Sequence, residues 1–415
     1  MLFLNRVRDG LRSRETELVV KTKAFLLLYV CTFTTLQAPA NNNVYCNAIA
    51  VVFMLLAGLW CLLDRSRIIN LFSISFAAFT AYVFLSILWS PVRAETWTTA
   101  ITLIRLLIMG TLMYNFLATN HKKEYILIAF VLAGIVVTFT TVFYYGPKAY
   151  FGYLFSGYRI GGELYAINYV AYILIISSLI SFWRVLFRRN WVHILPGLIC
   201  LFASVGTGSR ASILAFCVGI LVLAFFRSKG IWRVITPIII VGFLFFGYKA
   251  LELPVFGSLH SRLASFLQIF ESDGITDSST AVRIDMVKWG FEQFKQTPIF
   301  GIGFSAGSTV MAKYGCGLGL FHNTYMEMLV GGGIVGLCLY YFMFVYPFVK
   351  LIKPAFSGED TAIIAIVLLV TYLVLFLFGS EYFEQATPVV ICYLFLTVAD
   401  FRKKTSSCGA EPKQL

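Results

Sequence analysis

Long apolar runs separated by short polar stretches dominate this chain. Windows of about 20 apolar residues fall near 24–40, 44–63, 70–90, 98–118, 125–146, 163–183, 192–208, 211–227, 234–251, 323–346, 362–379 and 387–401, each long enough to cross a bilayer as a helix. The pattern predicts an all-α polytopic membrane protein with about twelve transmembrane helices. Residues 1–23 read as a basic cytoplasmic lead-in, 24–251 as spans one to nine, 252–322 as a large extracytoplasmic loop with short helices, 323–401 as spans ten to twelve, and 402–415 as a cytoplasmic tail.

Composition supports this class: 59% of the 415 residues are apolar and only 13% are charged, more hydrophobic length than a soluble core could bury. The net charge of +13 would suggest nucleic acid in a soluble protein, but here it sorts by loop. Arg65 and Arg67, Lys122 and Lys123, Arg184, Arg188 and Arg189, Arg227, Lys229 and Arg233, Lys350 and Lys353, and Arg402 to Lys404 fall on alternate connections. All share the side of the basic N-terminus, so both termini are expected in the cytoplasm and no nucleic-acid partner is expected. The lead-in carries Arg6, Arg8, Arg12 and Arg14 before any apolar run, unlike a cleavable signal. The nine cysteines show no C-x-x-C spacing and read as packing residues.

Most opposite connections are short and weakly basic, but the one after the ninth window runs for about 70 residues, a length that usually carries function. Within it, Ser279 to Thr297 has helical spacing, with Asp285, Lys288, Glu292 and Lys295 on one side. Arg283 falls instead with Val287, Gly290, Phe291 and Phe294, an odd place for a guanidinium. Two further arginines mark the same expected side: Arg159 in Gly157-Tyr-Arg-Ile-Gly-Gly, with Asn168 one to two turns on, and Arg210 in Gly206-Thr-Gly-Ser-Arg, beside Ser209. Each alone could be a structural arginine bonded to carbonyls. Together they suggest a cationic pocket for a diphosphate, because the guanidinium is always charged and holds phosphate bidentately. Arg105, midway along the fourth window, is a structural candidate.

His322 opens the tenth window, followed by Asn323, with Glu327 a turn or so further on. A helix N-terminus disfavours imidazolium, and a neutral imidazole is what a general base needs. A histidine that caps the helix or meets lipid headgroups is the competing reading. His121, His193 and His260 do not complete a metal site with His322, so a metal-independent reaction without a cofactor is expected. Gly331-Gly332-Gly333 and Gly336 would thin the tenth helix and admit a close neighbour.

These segments resemble a known family. His322-Asn323 followed by Gly333 and Gly336, Thr207-Gly208-Ser209-Arg210, and Arg283 with Trp289-Gly290 and Pro298-Ile-Phe-Gly-Ile-Gly303 are similar to motifs of the O-antigen ligase and O-antigen polymerase superfamily. The sequence departs at Phe321, where a small residue commonly precedes the histidine. The resemblance implies a C-type, inverting glycosyltransferase of the bacterial cytoplasmic membrane whose donor is a glycan on undecaprenyl pyrophosphate. By matching positions, Arg159, Arg210 and Arg283 would hold the diphosphate and His322 would act on the acceptor hydroxyl. Asn168, Ser209, Asn323 and Glu327 are supporting candidates.

The implied acceptor is a glycan, for a capsule, exopolysaccharide or O-antigen polymerase, or the lipid A-core, for a ligase. A chain-length regulator stays open as a partner. A lipid-glycan flippase or transporter is the alternative from another class; it tends to place charges at the midplane in two related halves, whereas here the cationic site candidates collect on one face and no internal repeat is visible.

Overall fold

The computed structural model describes residues 69–120, 123–156, 159–160, 167–250, 278–317, 319–384 and 386–408, with 52, 55 and 58 singly. Among them the regular structure is entirely helical, without a strand. In chain order the helices are α1 (Leu71–Leu85), α2 (Arg93–Asn120), α3 (Glu124–Tyr145), α4 (Pro147–Ser156), α5 (Ile167–Arg188), α6 (Ile194–Gly206) and α7 (Arg210–Arg227). They continue as α8 (Trp232–Ala250), α9 (Ser278–Gln296), α10 (Gly307–Lys313), α11 (Thr324–Phe356), α12 (Asp360–Leu375) and α13 (Ala386–Cys408).

Six of these are long and apolar enough to cross a membrane: α1 with the turn after it, α2, α3, α5, α7 and α11. α6, α8 and α12 supply shorter apolar helices, and α13 meets Asp400 and Arg402 before its apolar part reaches membrane length. The windows at 24–40 and 44–63 lie outside the described residues, apart from the three single positions. The connection after α3 contains α4.

α5 is the central helix, with fifteen buried side chains against α3, α6, α7 and α12. A main core that includes Phe72, Phe79, Phe116, Phe130, Trp183 and Tyr340 joins α1, α2, α3 and α5 to α11, α12 and α13. At one end, ion pairs tie Lys123 to Asp400 and Arg188 to both Glu124 and Asp360, so the starts of α3 and α12 and the end of α5 meet. At the other end, Ala171 of α5, Ala211 of α7 and Leu375 of α12 share a cluster. The Thr324 N–H donates to Phe376 O at 2.8 Å, which brings the start of α11 to that same end.

Candidate functional site

α9 docks along one stripe. Met286, Gly290 and Gln293 are buried at i, i+4 and i+7, and Arg283 continues the same stripe by one turn. The charged side faces outward, with Lys288 paired to Asp285 at 3.1 Å. Phe291, expected on the buried side, is 44% exposed: it follows Gly290 by 100° and turns away from the contact. Its place is taken by Gln293, whose Oε1 accepts from Lys313 Nζ at 2.8 Å. Trp289 stacks on Tyr314 with ring centres 4.6 Å apart, fastening α9 to the end of α10. Gly290 leaves room for Phe321: a Cβ there would lie 3.1 Å from the ring and 3.2 Å from Met326 Sδ. The bulk of Phe321, where the family pattern has a small residue, thus goes into the α9–α11 core with Met286, Val310 and Val330.

The glycines after His322 do more than thin a helix. α11 is broken at Gly333, whose φ of 59° and ψ of −159° no other residue adopts readily. The segment 298–303 fills the break. Ile302 N and Gly303 N donate to Val330 O and Gly331 O, while Ile334 N and Val335 N donate to Pro298 O and Ile299 O, all between 2.9 and 3.2 Å. Groups that the broken helix would leave unpaired are thereby satisfied, which is how irregular backbone is tolerated inside a membrane bundle. The Tyr82 hydroxyl lies 2.8 Å from Gly332 O and 3.0 Å from Phe300 O, at the junction of break and insert. Phe304 is fully buried, packed edge-on to Phe79 and Tyr82, and Thr96 donates to its carbonyl at 2.7 Å. The break and its insert form one hydrogen-bonded platform in the first part of α11, the helix that His322 precedes.

His322, just ahead of the α11 cap, has φ at 49°, a left-handed conformation that costs a β-carbon residue of order 1 kcal/mol. The residues around it over-determine this backbone. Asn323 caps α11, its Oδ1 accepting from Met326 N at 3.1 Å and its Nδ2 donating to Leu377 O at 3.2 Å. Thr324 Oγ1 donates to Gly379 O. The buried Glu327 accepts from Phe321 N at 2.7 Å and from Ser380 Oγ at 3.1 Å. The imidazole is held below the ordinary histidine value, first by burial and then by the positive charge of Arg283. The helix end, which the sequence suggests as the cause, is one residue further on, at the Asn323 cap.

A second cluster forms around the α6–α7 turn. Arg159 donates from Nε to Thr207 O at 3.2 Å and from Nη2 to Asn168 Oδ1 at 3.5 Å, and Ile160 N donates to Gly206 O at 3.1 Å. Gly208 takes φ 64°, which lets the chain reverse before Arg210 begins α7. Ser209 is buried, and its hydroxyl has no hydrogen-bond partner among the described residues. The structure therefore pairs Arg159 with Asn168 and sets Arg210 and Ser209 beside them, while the positive charge of Arg283 acts on His322. Both groups lie at the same end of the bundle, linked through Leu375 of α12, against Ala211, and Phe376, which receives Thr324 N. Arg105 is half-buried along α2, away from either group in sequence and by element.

Residues 195–341 match the family model described as O-antigen ligase. The matched stretch contains the Thr207–Arg210 turn, Arg283, the 298–303 insert, His322 and the broken first part of α11, and it supports the resemblance to the O-antigen ligase and polymerase superfamily. No curated protein matches the chain. Tyr82, Gln293 and Ser380 are site-building residues that sequence reasoning missed; nothing in their local pattern distinguishes them from packing or loop positions.

Proposed function

We propose that this protein is a polysaccharide polymerase of the bacterial cytoplasmic membrane, a metal-independent inverting glycosyltransferase of the C-type fold that moves a glycan from undecaprenyl pyrophosphate to an acceptor sugar hydroxyl. The reading rests on one observation above the others: a half-buried imidazole whose charged form is disfavoured by burial and by the charge of Arg283, at the bundle end that also carries Arg159 and Arg210. His322 accepts the proton of the acceptor hydroxyl as its oxygen bonds to the anomeric carbon. The bond from that carbon to the diphosphate breaks, and the lipid diphosphate leaves with the electron pair. Arg159, Arg210 and Arg283 stabilise the charge that grows on it, which lets the reaction proceed without a metal ion. The active end faces outward, both termini face the cytoplasm, and the region from 252 to 322 serves as the catalytic loop.

The family description is equally compatible with a second reading, transfer to the lipid A-core by a ligase, which needs the same donor site and base. Purified protein given a lipid-linked repeat unit decides between them. Products longer than one repeat on the carrier lipid identify a polymerase; single transfer to added lipid A-core with no elongation identifies a ligase; and neither product, with the donor intact, rejects both. A cysteine at Ser279 that an impermeant maleimide labels in intact cells, with one at Ser228 left unlabelled, checks the orientation.

A further inference from the structure

At the end of the bundle away from His322, the ends of α5, α7 and α11 and the starts of α8 and α12 enclose a cavity of about 670 Å³. Arg210 and Arg227 bound α7, so at about 1.5 Å per residue the two ends are roughly 25 Å apart. Four cations line the cavity, Arg189, Arg227, Lys229 and Arg233, and no acidic side chain does. Asp360, close by in sequence, is engaged by Arg188.

Two of the arginines are fixed in a way that leaves donors over. Arg227 uses Nε for Leu186 O at 3.1 Å, and Arg233 uses Nε for Ser228 O at 3.2 Å. The Arg233 guanidinium also lies over Phe225 and Phe356, 5.8 and 5.5 Å from the ring centres, which holds its plane. The terminal nitrogens, the pair that grips a phosphate bidentately, carry no protein hydrogen bond among the described residues. Arg189 and Lys229 add charge without an acidic partner there. Arg189, Arg227 and Lys229 are exposed at the mouth of this half-open cavity and Arg233 is half-buried in it, so four like charges share one opening where an anion would offset their mutual repulsion.

The surroundings are those of an interface. Phe187, Phe226 and Ile363 supply an apolar wall between the cations, and at the start of α8 Ile231 and Trp232 are 67% and 57% exposed, a tryptophan placement common at headgroup depth. We infer that this cavity binds the phosphate of an acidic phospholipid headgroup, with the acyl chains running out over the exposed apolar start of α8. Such a site is separate from the proposed donor site and does not depend on it. It would fasten α5, α7, α8, α11 and α12 together at the end remote from the chemistry.

The test is thermal unfolding of the purified full chain in detergent, with dioleoylphosphatidylglycerol, dioleoylphosphatidylcholine or inorganic phosphate added. Phosphatidylglycerol should raise Tm saturably where phosphatidylcholine does not. The double variant Arg189→Gln with Lys229→Gln, which breaks no described hydrogen bond, should need about tenfold more phosphatidylglycerol for the same rise. Arg227→Gln should act in the same direction. Inorganic phosphate that matches phosphatidylglycerol, and loses its effect in the double variant, keeps the anion site but gives it to a free phosphate compound. Equal protection by phosphatidylcholine, or wild-type response to phosphatidylglycerol in both variants, overturns the inference.

Discussion

The Glu327 carboxylate receives the Phe321 N–H at 2.7 Å, so the residue before His322 is tied to the first turn of the helix that follows it. With Asn323 capping that helix at 3.1 Å, His322 is clasped on both sides and its left-handed backbone is held. Glu327→Ala leaves the Phe321 N–H and the Ser380 hydroxyl without their acceptor, at a cost of about 1–3 kcal/mol each where burial keeps water out. Glu327→Gln keeps an acceptor oxygen. The alanine variant should lose most glycan transfer and the glutamine variant far less, measured at equal amounts of folded protein. Equal loss in both would mean that the carboxylate charge, instead of its hydrogen bonds, is what the site uses.

His322 carries the proposed proton transfer. A positioned general base contributes about 10²–10⁴-fold, so His322→Ala should lower transfer by that order while donor binding persists. Because burial and Arg283 disfavour the imidazolium, the neutral form persists to a pH below the ordinary histidine range. The rate should therefore fall only as pH drops through that lowered value. His322→Asn with most of the rate and an unchanged acidic limb would leave the histidine a positioning role only.

Arg283 should matter in two separable ways. Arg283→Lys keeps the charge but not the planar fork, so transfer should fall several-fold to a hundred-fold, with the acidic limb nearly in place. Arg283→Gln removes the charge that opposes imidazolium, so the apparent pKa of the acidic limb should rise. A pH profile of both variants checks this; a limb that does not move in Arg283→Gln contradicts an effect of the Arg283 charge on His322.

Gly333→Ala should be among the most damaging small substitutions. A Cβ there would collide with Ile299 O, and the backbone conformation is one that alanine avoids. Gly315→Ala, also at positive φ but with open space around it, should pay the conformational cost alone. Comparing folded yield and Tm of the two variants isolates the clash; equal losses would mean the 298–303 insert gives way easily.

The sequence by itself determined what depends on near neighbours along the chain. Apolar run length marked the six helices of membrane-crossing length in the described region, though it also predicted spans where the helices are shorter, and helical spacing placed Arg283 in line with the buried stripe of α9, since both follow from residues within a few turns. The sequence placed the helix start at His322, and the structure moves it one residue on, to the Asn323 cap. Spacing failed at Phe291, because α9 presents a narrow stripe and only the packing partner decides where its edge falls.

Only the tertiary structure decided how the site is assembled. Nothing local announces that 298–303 enters the α11 break, that Tyr82 reaches Gly332 across 250 residues, or that Ser380 meets Glu327. A run of glycines permits a break but does not require one; the break persists because a separate segment supplies the hydrogen bonds that the helix gives up. The same holds for the cavity formed by Arg227 and Arg233, whose charges are plain in the sequence but whose convergence comes from five helix ends meeting.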